Sequence, residues 1–364
     1  MRIAAFLKYG PAAASSRQRL LQYIPFLQDA GMVVQYQCLL SDDYVRSLAT
    51  GRAPLRTKII ASYLTRMRQL LMQRDFDVLW IYAELFPYLP RQFEQLAFQA
   101  GKPIVYDFDD AFFHQYDRHP NRLIRRVLAG KLEPLLRGAA ACTCANDYLH
   151  DYAAAYCKNS LLLPTVVDTD LYKPSVPPTT GVSRPLCIGW IGSPTTWAYV
   201  RPIVSVLSDL AVEYGLEVRV VGAGAAAVSD VFPGLRLVEW SEQTEIAEVQ
   251  RMDIGIMPIP DEPWKRGKSG YKLIQYMACG LPVVASPAGA NREIVVEEET
   301  GLFATDSDDW RKALERLIAD ESLRMTLGAA GRSRAERHYS TKVHAPRLVA
   351  LLKSLGAGRS QLSD

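Results

Sequence analysis

Several features are scarce in this sequence, and each absence argues against a class of protein. No apolar run approaches the length that a membrane-spanning helix needs, and the run Ile3–Leu7, ended by Lys8, is too short for a signal peptide. The six cysteines form no paired framework, which predicts reduced, buried thiols rather than disulfides or a zinc site. Together these absences favour a cytoplasmic protein.

Excess charge of one sign is also lacking. The formal net charge of +3 is too small to argue for a nucleic-acid partner. One stretch is nevertheless one-sided, because residues 44–74 contain seven basic residues and no acidic one. A basic, partly amphipathic helix can lie against the anionic inner face of a cell membrane, or it can present an arginine-rich face to solvent. The sequence leaves both interpretations open.

What the chain has is the composition of an ordinary globular protein of two domains. It contains 364 residues, of which 49% are apolar and 22% charged. The strand Arg2–Leu7, a helix from about Arg17 to Ala30 and the strand Met32–Cys38 form an opening β-α-β unit, which predicts a parallel sheet.

The loop before the first helix is a candidate anion site. Ser15 or Ser16 can cap the helix, and Arg17 lies in its first turn. Because a cation opposes the helix dipole at this end, a phosphate or carboxylate bound there would relieve the repulsion. The alternative is an ordinary cap with surface arginines.

Three carboxylates follow the buried strand Lys102–Asp107, at the edge where open α/β sheets bind ligands. They are Asp107, Asp109 and Asp110. Asp-x-Asp invites a divalent metal, but three carboxylates alone are a weak signal. The other interpretation is that they cap the next turn and pair with Arg118 or Arg122. His114, in the same loop, either acts on a substrate hydroxyl or has a structural role.

The most informative stretch is 253–301, which reads as strand, loop, helix, strand, loop. The helix over 270–279 carries apolar residues at helical spacing and is ended by Gly280. Its N-terminus points to the crevice beyond the strand ends, and four cations lie around it: Lys265, Arg266, Lys268 and Lys272. Unpaired N–H groups, the helix dipole and these cations predict a bound phosphate.

This stretch resembles the donor-binding signature of the family 4 glycosyltransferases, retaining enzymes of the GT-B fold. The matching residues are Gly270, Met277-Ala278, Gly280, Pro282–Ser286, Gly289, Glu293 and Thr300-Gly301. The resemblance implies an α/β protein of two Rossmann-like domains whose parallel sheets face each other across a cleft. It places an acceptor-side domain at 1–174, a linker at 175–185 and a nucleotide-sugar domain at 186–338, with a closing helix, 340–356, packed on the first domain.

The signature is incomplete in its Glu-x7-Glu pair. In the family, the first glutamate contacts the donor sugar and the second contacts the ribose; here these positions hold Gly267 and Gln275. An amide can still pair with a ribose diol, whereas Gly267 offers no side chain.

The resemblance assigns roles to further residues. Lys268, Lys272 and the N–H groups of Ser269 and Gly270 are expected at the diphosphate, with Tyr271 beside them. Asp109 and Glu293 are expected at the sugar. The donor would also contact the loop with Ser15, Ser16 and Arg17, the turns at Gly192-Ser193 and Gly222, and the ring of Trp240.

One motif suggests a different function. Gly222–Ala227 fits the G-x-G-x-x-A pattern of dinucleotide-binding oxidoreductases. That pattern needs a long following helix and normally opens its domain, whereas Pro233 cuts this helix short and a β-α unit precedes it. A turn that borders the donor nucleotide is the preferred interpretation.

The sequence therefore predicts retaining glycosyl transfer from a nucleoside diphosphate sugar to a glycan or polyprenyl-linked acceptor, in cell-surface polysaccharide synthesis. Charge stabilisation would replace a metal, and no cofactor is expected. The alternatives are a catalytically altered nucleotide-sugar-binding protein and a sugar-nucleotide epimerase of the same fold; an oxidoreductase is the least favoured.

Overall fold

The structure, a computed structural model, describes residues 1–49, 56–72, 75–175 and 184–357. The chain divides into two compact units. The first unit contains Met1–Thr165, Arg266–Ser269 and the chain from His344 onward; the second contains Val166–Lys265 and Gly270–Val343.

Within the described residues, the first unit has a six-stranded parallel sheet of order β2-β1-β3-β4-β5-β6. Its strands are β1 (Arg2–Tyr9), β2 (Val33–Leu40), β3 (Val78–Tyr82), β4 (Ile104–Phe108), β5 (Ala141–Cys144) and β6 (Ser160–Leu162). Its helices are α1 (Ala14–Arg19), α2 (Ile24–Asp29), α3 (Asp42–Ala49), α4 (Arg56–Leu71), α5 (Arg91–Glu94), α6 (His114–Asp117), α7 (Arg122–Leu128), α8 (Glu133–Gly138) and α9 (Asp147–Ala154).

The second unit also has a six-stranded parallel sheet in its described part, of order β12-β11-β10-β7-β8-β9. Its strands are β7 (Cys187–Ile191), β8 (Glu217–Val221), β9 (Leu235–Val238), β10 (Ile254–Met257), β11 (Val283–Ala285) and β12 (Gly301–Phe303). The remaining helices are α10 (Pro194–Trp197), α11 (Val204–Tyr214), α12 (Glu245–Val249), α13 (Pro263–Arg266), α14 (Tyr271–Ala278), α15 (Asn291–Ile294), α16 (Ser307–Ala319), α17 (Glu321–His338) and α18 (Thr341–Ala357).

The central strands of both sheets are buried along their whole length. All residues of β3, β4 and β7 are buried, as expected when a parallel sheet is covered on both faces. The register pairs Phe6 with Ile81 in the first sheet and Gly255 with Val283 in the second. Six free thiols are present, five of them buried.

Both sheets contain a topological switch point. Strand order reverses between β1 and β3 in the first sheet and between β7 and β10 in the second. Open α/β sheets bind ligands beyond the carboxyl ends of the strands at such a point. These two edges are therefore where candidate site residues are expected.

The predicted domain boundary at residue 174 is wrong. Residues from Val166 belong to the second unit, because Val167 forms a bridge with Ser340 and Tyr172 is buried in the core of that unit. Most of the predicted linker 175–185 lies outside the described residues.

The long helix predicted from about Arg17 to Ala30 is interrupted. It is divided into α1 and α2, with Pro25 in the first turn of α2. Two other helical stretches are divided in a similar way. Gly130, with a φ of +72°, lies between α7 and α8, and Pro202 lies in the 3-10 turn between α10 and α11.

One arginine of the basic stretch 44–74 lies in the protein interior. Arg66 is buried, and its guanidinium donates to the carbonyls of Leu7 (2.7 Å) and Gln37 (3.1 Å). Burial lowers the pKa of Arg66 to about 10. Arg52, Arg74 and the side chain of Arg46 lie outside the described residues.

Candidate functional site

Two glycine turns lie side by side at the carboxyl edge of the second sheet. Gly192 follows β7, and Gly222 follows β8 with a φ of +84°. A Cβ on Gly222 would lie 2.3 Å from the carbonyl oxygen of Gly192. Only glycine fits this close approach, which leaves main-chain groups uncovered by side chains at this edge.

Ser193 caps the short helix α10. Ser193 has the extended backbone of an N-cap, and its N–H donates to the Thr196 hydroxyl at 3.0 Å. Hydroxyl groups of Ser193, Thr195 and Thr196 therefore lie together at the turn after Gly192.

Helix α14 begins at the switch point of the second sheet, as predicted. Gly270 is its N-cap with a φ of +65°, and Tyr271 and Lys272 are the first helical residues. The Lys272 ammonium lies 5.0 Å from the centroid of the buried Trp190 ring on β7. This contact places one positive charge next to the end of the central strand.

The cations expected around the start of α14 have different partners within the two units. Lys265 pairs with Glu262 at 2.8 Å and lies over the Tyr199 ring, while Lys272 lies on Trp190. Lys268 and Arg266 belong to the first unit. Each lysine is held by a different partner because α13 and the turn after it separate them along the chain.

Gln275 is not placed to receive a ribose. It is buried, and its amide donates to Glu245 Oε1 at 2.9 Å and to the Tyr172 hydroxyl at 3.1 Å. Both donors of the amide are thus used inside the second unit, and the expectation that Gln275 itself contacts the diol is corrected.

Glu245, which the sequence analysis missed, is the centre of this polar cluster. Its Oε1 accepts from Gln275 and Tyr172, and its Oε2 accepts from Trp240 Nε1 at 2.5 Å. Glu245 and Trp240 are partly exposed, whereas Tyr172 and Gln275 are buried. A signal was available, because nucleotide-binding folds place an acidic residue about 20 positions after a glycine turn, and Glu245 follows Gly222 at such a spacing.

Glu293 lies on α15, next to the start of α14. A Cβ on Gly270 would lie 2.2 Å from Ile294 Cδ1, so the two helices are closely packed. The backbone of Glu293 is fixed by Arg334 and Tyr339, which donate to its carbonyl at 2.6 and 3.2 Å. This packing brings Glu293 to the edge of the sheet where α14 begins.

In the first unit, the predicted serine cap is wrong. Ala13 is the N-cap of α1, without a side-chain bond, and both serines lie within the helix. Ser16 is fully buried and donates to the Tyr9 carbonyl at 2.8 Å. The Arg17 guanidinium donates to the carbonyls of Pro11 and Ala12 in its own loop. These contacts hold the Arg17 guanidinium against its own loop.

Ser15 and Asp109 are brought together by Tyr82, at the end of β3. The Tyr82 hydroxyl donates to Asp109 Oδ1 at 2.5 Å and is itself hydrogen-bonded to Ser15. Burial, followed by the neighbouring charge of Asp110, raises the pKa of Asp109 to about 7. Asp109 can therefore hold or release a proton near neutral pH.

Asp107 has a structural role. It forms a buried ion pair with Arg19 and accepts a hydrogen bond from Thr143 at 2.6 Å. One interpretation of the sequence paired these aspartates with Arg118 or Arg122. The structure instead pairs Asp107 with Arg19 and Asp110 with Lys268. In the described part of the chain, no group of three or more His, Cys, Asp or Glu side chains is arranged to hold a metal ion.

Lys268 and Gly267 are packed against the loop after β4. Lys268 pairs with Asp110 at 3.3 Å, and Asn146 donates to the Lys268 carbonyl at 3.0 Å. A Cβ on Gly267 would lie 2.5 Å from the Cβ of Ala111. The glutamate that the family carries at this position is therefore excluded by the backbone packing, and Ser269 completes this half-buried segment.

His114 has a structural role in this arrangement. Its Nδ1 lies 2.8 Å from Asp117, and its Nε2 lies 2.7 Å from the Tyr148 hydroxyl. Both ring nitrogens are thus used inside the first unit.

Comparison with known proteins finds a family match within the second unit. Residues 186–320 match Glycosyl transferases group 1. A stretch of 87 residues is 34% identical to the GDP-mannose-dependent monoacylated alpha-(1-6)-phosphatidylinositol monomannoside mannosyltransferase of Corynebacterium glutamicum. The match covers 23% of this chain and 23% of that relative.

Two solved structures share the fold over nearly the whole chain. Sucrose-phosphate synthase from Thermosynechococcus elongatus superposes with a TM-score of 0.73 at 16% identity, covering 98% of this chain and 100% of that one. Anabaena HepE in complex with UDP-glucose gives a TM-score of 0.71 at 14% identity, covering 97% and 99%.

Proposed function

We propose that this chain, a glycosyltransferase of the group 1, family 4 type with the GT-B fold, moves a sugar from a nucleoside diphosphate sugar to a glycan or lipid-linked acceptor. Retention of configuration, independence from metal and a role in cell-surface polysaccharide synthesis are parts of the proposal. The observation that carries it is the set of glycine turns, Glu245 and the start of α14 along one edge of the second sheet, within the matched segment 186–320.

The second unit would bind the nucleoside diphosphate. The turns at Gly192 and Gly222 let the diphosphate approach the backbone, and the N-terminus of α14 with Lys272 supplies positive potential. Glu245 would accept a hydrogen bond from a ribose hydroxyl, since its Oε2 has one protein donor and room for a second. Trp240 would pack against the base. The complex of HepE with UDP-glucose supports a donor of this class.

The first unit would contribute contacts to sugar and phosphate. Asp109 would bind a sugar hydroxyl from its position beside Tyr82. Lys268 would exchange Asp110 for a phosphate oxygen, because a doubly charged phosphate competes well with one partly exposed carboxylate. The positive charge of the protein next to the leaving diphosphate would then stabilise it as it departs, without a metal.

The proposal is tested by a thermal-shift screen of UDP-, GDP- and ADP-sugars, followed by a transfer assay with the best ligand. A donor at about 100 times its dissociation constant should stabilise the protein by about 2.7 kcal/mol. Lys272→Ala and Lys268→Ala should weaken binding about tenfold each, through loss of a charged hydrogen bond. If no nucleoside diphosphate or sugar derivative stabilises the chain, the proposal is wrong.

One observation favours a second candidate, a nucleotide-sugar-binding protein with altered catalysis. The packing of Gly267 on Ala111 excludes the family's first glutamate. Donor binding without transfer or hydrolysis would support this candidate. A Cβ at position 267 would also lie 2.6 Å from the backbone nitrogen of Ala111, so Gly267→Glu should displace the loop after β4 and lower stability without a gain of turnover.

Contact with an anionic membrane through 44–74 is also part of the proposal. On α4, Ile60 and Leu64 are exposed one turn apart, and Arg56, Lys58 and Arg68 are exposed on the same helix. Ile60→Glu with Leu64→Glu should lower binding to vesicles that contain phosphatidylglycerol. In the described part of the chain, the structure offers no helix with both the length and the apolar character to cross a bilayer.

A further inference from the structure

A second exposed apolar face lies on α7, outside the stretch 44–74. Leu123 and Val127 are one helical turn apart and are 67% and 53% exposed. Arg122 and Arg126 are exposed beside them, and from Arg118 to Leu132 the chain has no acidic residue. Exposed aliphatic side chains next to arginines on one helix are the combination that helices bound at a membrane surface present to lipid.

The helix that carries this face is well anchored. The Asn121 side chain accepts from the Leu123 N–H at 2.8 Å, which caps α7. Arg125, on the other side, donates to the Pro120 carbonyl at 3.1 Å, and Leu128 is buried below. The exposed residues are therefore held in place and are not a fraying end.

Tyr88 extends the same surface. It is 52% exposed, although its φ of +59° is a strained conformation for a bulky residue. Its N–H donates to the Tyr116 hydroxyl at 3.1 Å, and its ring packs edge-on against Tyr116 and His119. His119 in turn accepts from the N–H of Asn121 at 3.0 Å, so these contacts join Tyr88 to the start of α7.

We propose that Tyr88, Leu123 and Val127, with Arg122 and Arg126, form a surface that binds an anionic lipid bilayer. We call it the α7 surface. Aliphatic side chains enter the acyl boundary, arginines meet lipid phosphates, and tyrosine favours the headgroup level. A second copy of this chain fits less well, because a two-fold contact would place the arginines of one α7 surface against those of the other.

The position of the α7 surface gives it a consequence for function. It follows β4 in the chain, beyond the loop that begins with Asp109. A bilayer bound there would hold a lipid-linked acceptor near the carboxyl edge of the first sheet. This consequence rests on the proposed function, whereas the binding of lipid does not.

The experiment is co-sedimentation of the full chain with vesicles of phosphatidylcholine, alone or mixed with phosphatidylglycerol. Wild type should bind the mixed vesicles and lose binding as salt rises. Leu123→Glu with Val127→Glu should weaken binding at least about tenfold, and Arg122→Gln with Arg126→Gln should flatten the salt dependence. Tyr88→Ala should weaken binding without changing its salt dependence.

The matched control is Val228→Glu with Val231→Glu, which adds the same charge at exposed valines of the second unit. It should bind as wild type does, and melting curves check that every variant is folded. Absence of wild-type binding, or a Leu123→Glu/Val127→Glu variant that binds like the control, would overturn the proposal. A dimer that only the α7 variant dissociates would assign the surface to a second copy instead.

Two further comparisons separate this proposal from the others. If Ile60→Glu with Leu64→Glu abolishes vesicle binding and the α7 variants do not reduce it, the α7 surface is refuted and α4 alone binds lipid. Donor binding in solution should be unchanged in the α7 variants, so failure of the glycosyltransferase proposal would be recognised independently of vesicle binding.

Discussion

At the scale of single residues, the cluster around Glu245 decides how the second unit can meet a nucleotide. Two buried donors, Tyr172 and Gln275, fix Oε1, and Trp240 fixes Oε2. Burial, with the neighbouring Tyr271 and Glu245, raises the pKa of Tyr172 well above its usual range, so its hydroxyl remains a donor. The carboxylate is thus held in one orientation before any ligand binds, which lowers the entropy lost on binding.

Glu245→Gln should weaken the binding of a nucleoside diphosphate about tenfold, since a charged hydrogen bond to the ribose is lost. Binding of inorganic pyrophosphate, which has no ribose, should be unchanged. Titration calorimetry with both ligands measures the difference. Glu242→Gln, an exposed neighbour in the same loop, is the control, and an equal loss for both ligands would contradict a ribose contact.

Asp109 should give the protein a recognisable pH dependence. Its pKa is raised from 3.8 to about 7 in the folded state, so between these values the folded chain keeps a proton that the unfolded chain has released. This carboxyl therefore stabilises the fold less as pH rises across that window. Asp109→Asn lacks the titration and should exceed wild-type stability by about 4 kcal/mol at neutral pH, with the difference shrinking toward about pH 4.

Denaturant unfolding at a series of pH values measures this difference. Asp29→Asn, an exposed residue of the same unit, serves as the control. A pH-independent difference for Asp109→Asn would show that the carboxyl titrates normally. In a transfer assay the same variant should lower turnover if Asp109 contacts the sugar.

At the scale of elements, the turn after β8 is the most constrained part of the candidate donor site. The backbone oxygen of Gly192 leaves no space for a Cβ on Gly222, and a backbone atom cannot move aside as a flexible side chain can. The turn also pairs with both neighbouring strands, since Gly222 donates to Val238 and Gly192 donates to Val221. A change in this turn therefore alters two strand ends together.

Gly222→Ala should cost about 3 kcal/mol of stability and should also weaken donor binding, because the turn must shift away from Gly192. Gly215→Ala is the matched control: Gly215 has a φ of +61° and open space around a Cβ, so it should cost only about 1 kcal/mol. Thermal unfolding with and without donor compares the two. Equal costs would mean that the close approach to Gly192 does not constrain the turn.

At the scale of the whole molecule, the two units do not divide where the sequence suggests. Residues 166–174 belong to the second unit, and Arg332 on α17 ties them there. Its guanidinium donates to the carbonyls of Thr169, Tyr172 and Ala278 and pairs with Glu336. Two carbonyls of the segment 166–174 and one at the end of α14 thus depend on one side chain.

Arg332→Ala should lower the free energy of unfolding by about 2 to 3 kcal/mol, because three partly buried carbonyls lose a charged donor. Arg337→Ala, on the same helix and exposed, removes a bond only to Ser333 within its own helix and should change stability by less than about 0.5 kcal/mol. Calorimetry measures both. A similar small effect in the two variants would indicate that 166–174 is held by its apolar contacts alone.

The sequence by itself determined the local features of this protein. The opening β-α-β pattern predicted a parallel sheet, and the apolar spacing before Gly280 predicted α14 with an N-terminus at a sheet edge. The resemblance of residues 253–301 implied the second sheet, and the GT-B fold is confirmed. These features depend on backbone conformation and periodicity over a few residues, which a single chain segment displays directly.

Only the tertiary structure decided which side chains of the candidate site are available. The Gln275 amide donates to Glu245 and Tyr172, and the buried Arg66 donates to carbonyls of β1 and β2. The close approach of Ala111 leaves no space for a side chain at Gly267. Each of these outcomes depends on a partner far away in the chain. Such partners are set by strand order and packing at close contact distances, and no local pattern of residues encodes them.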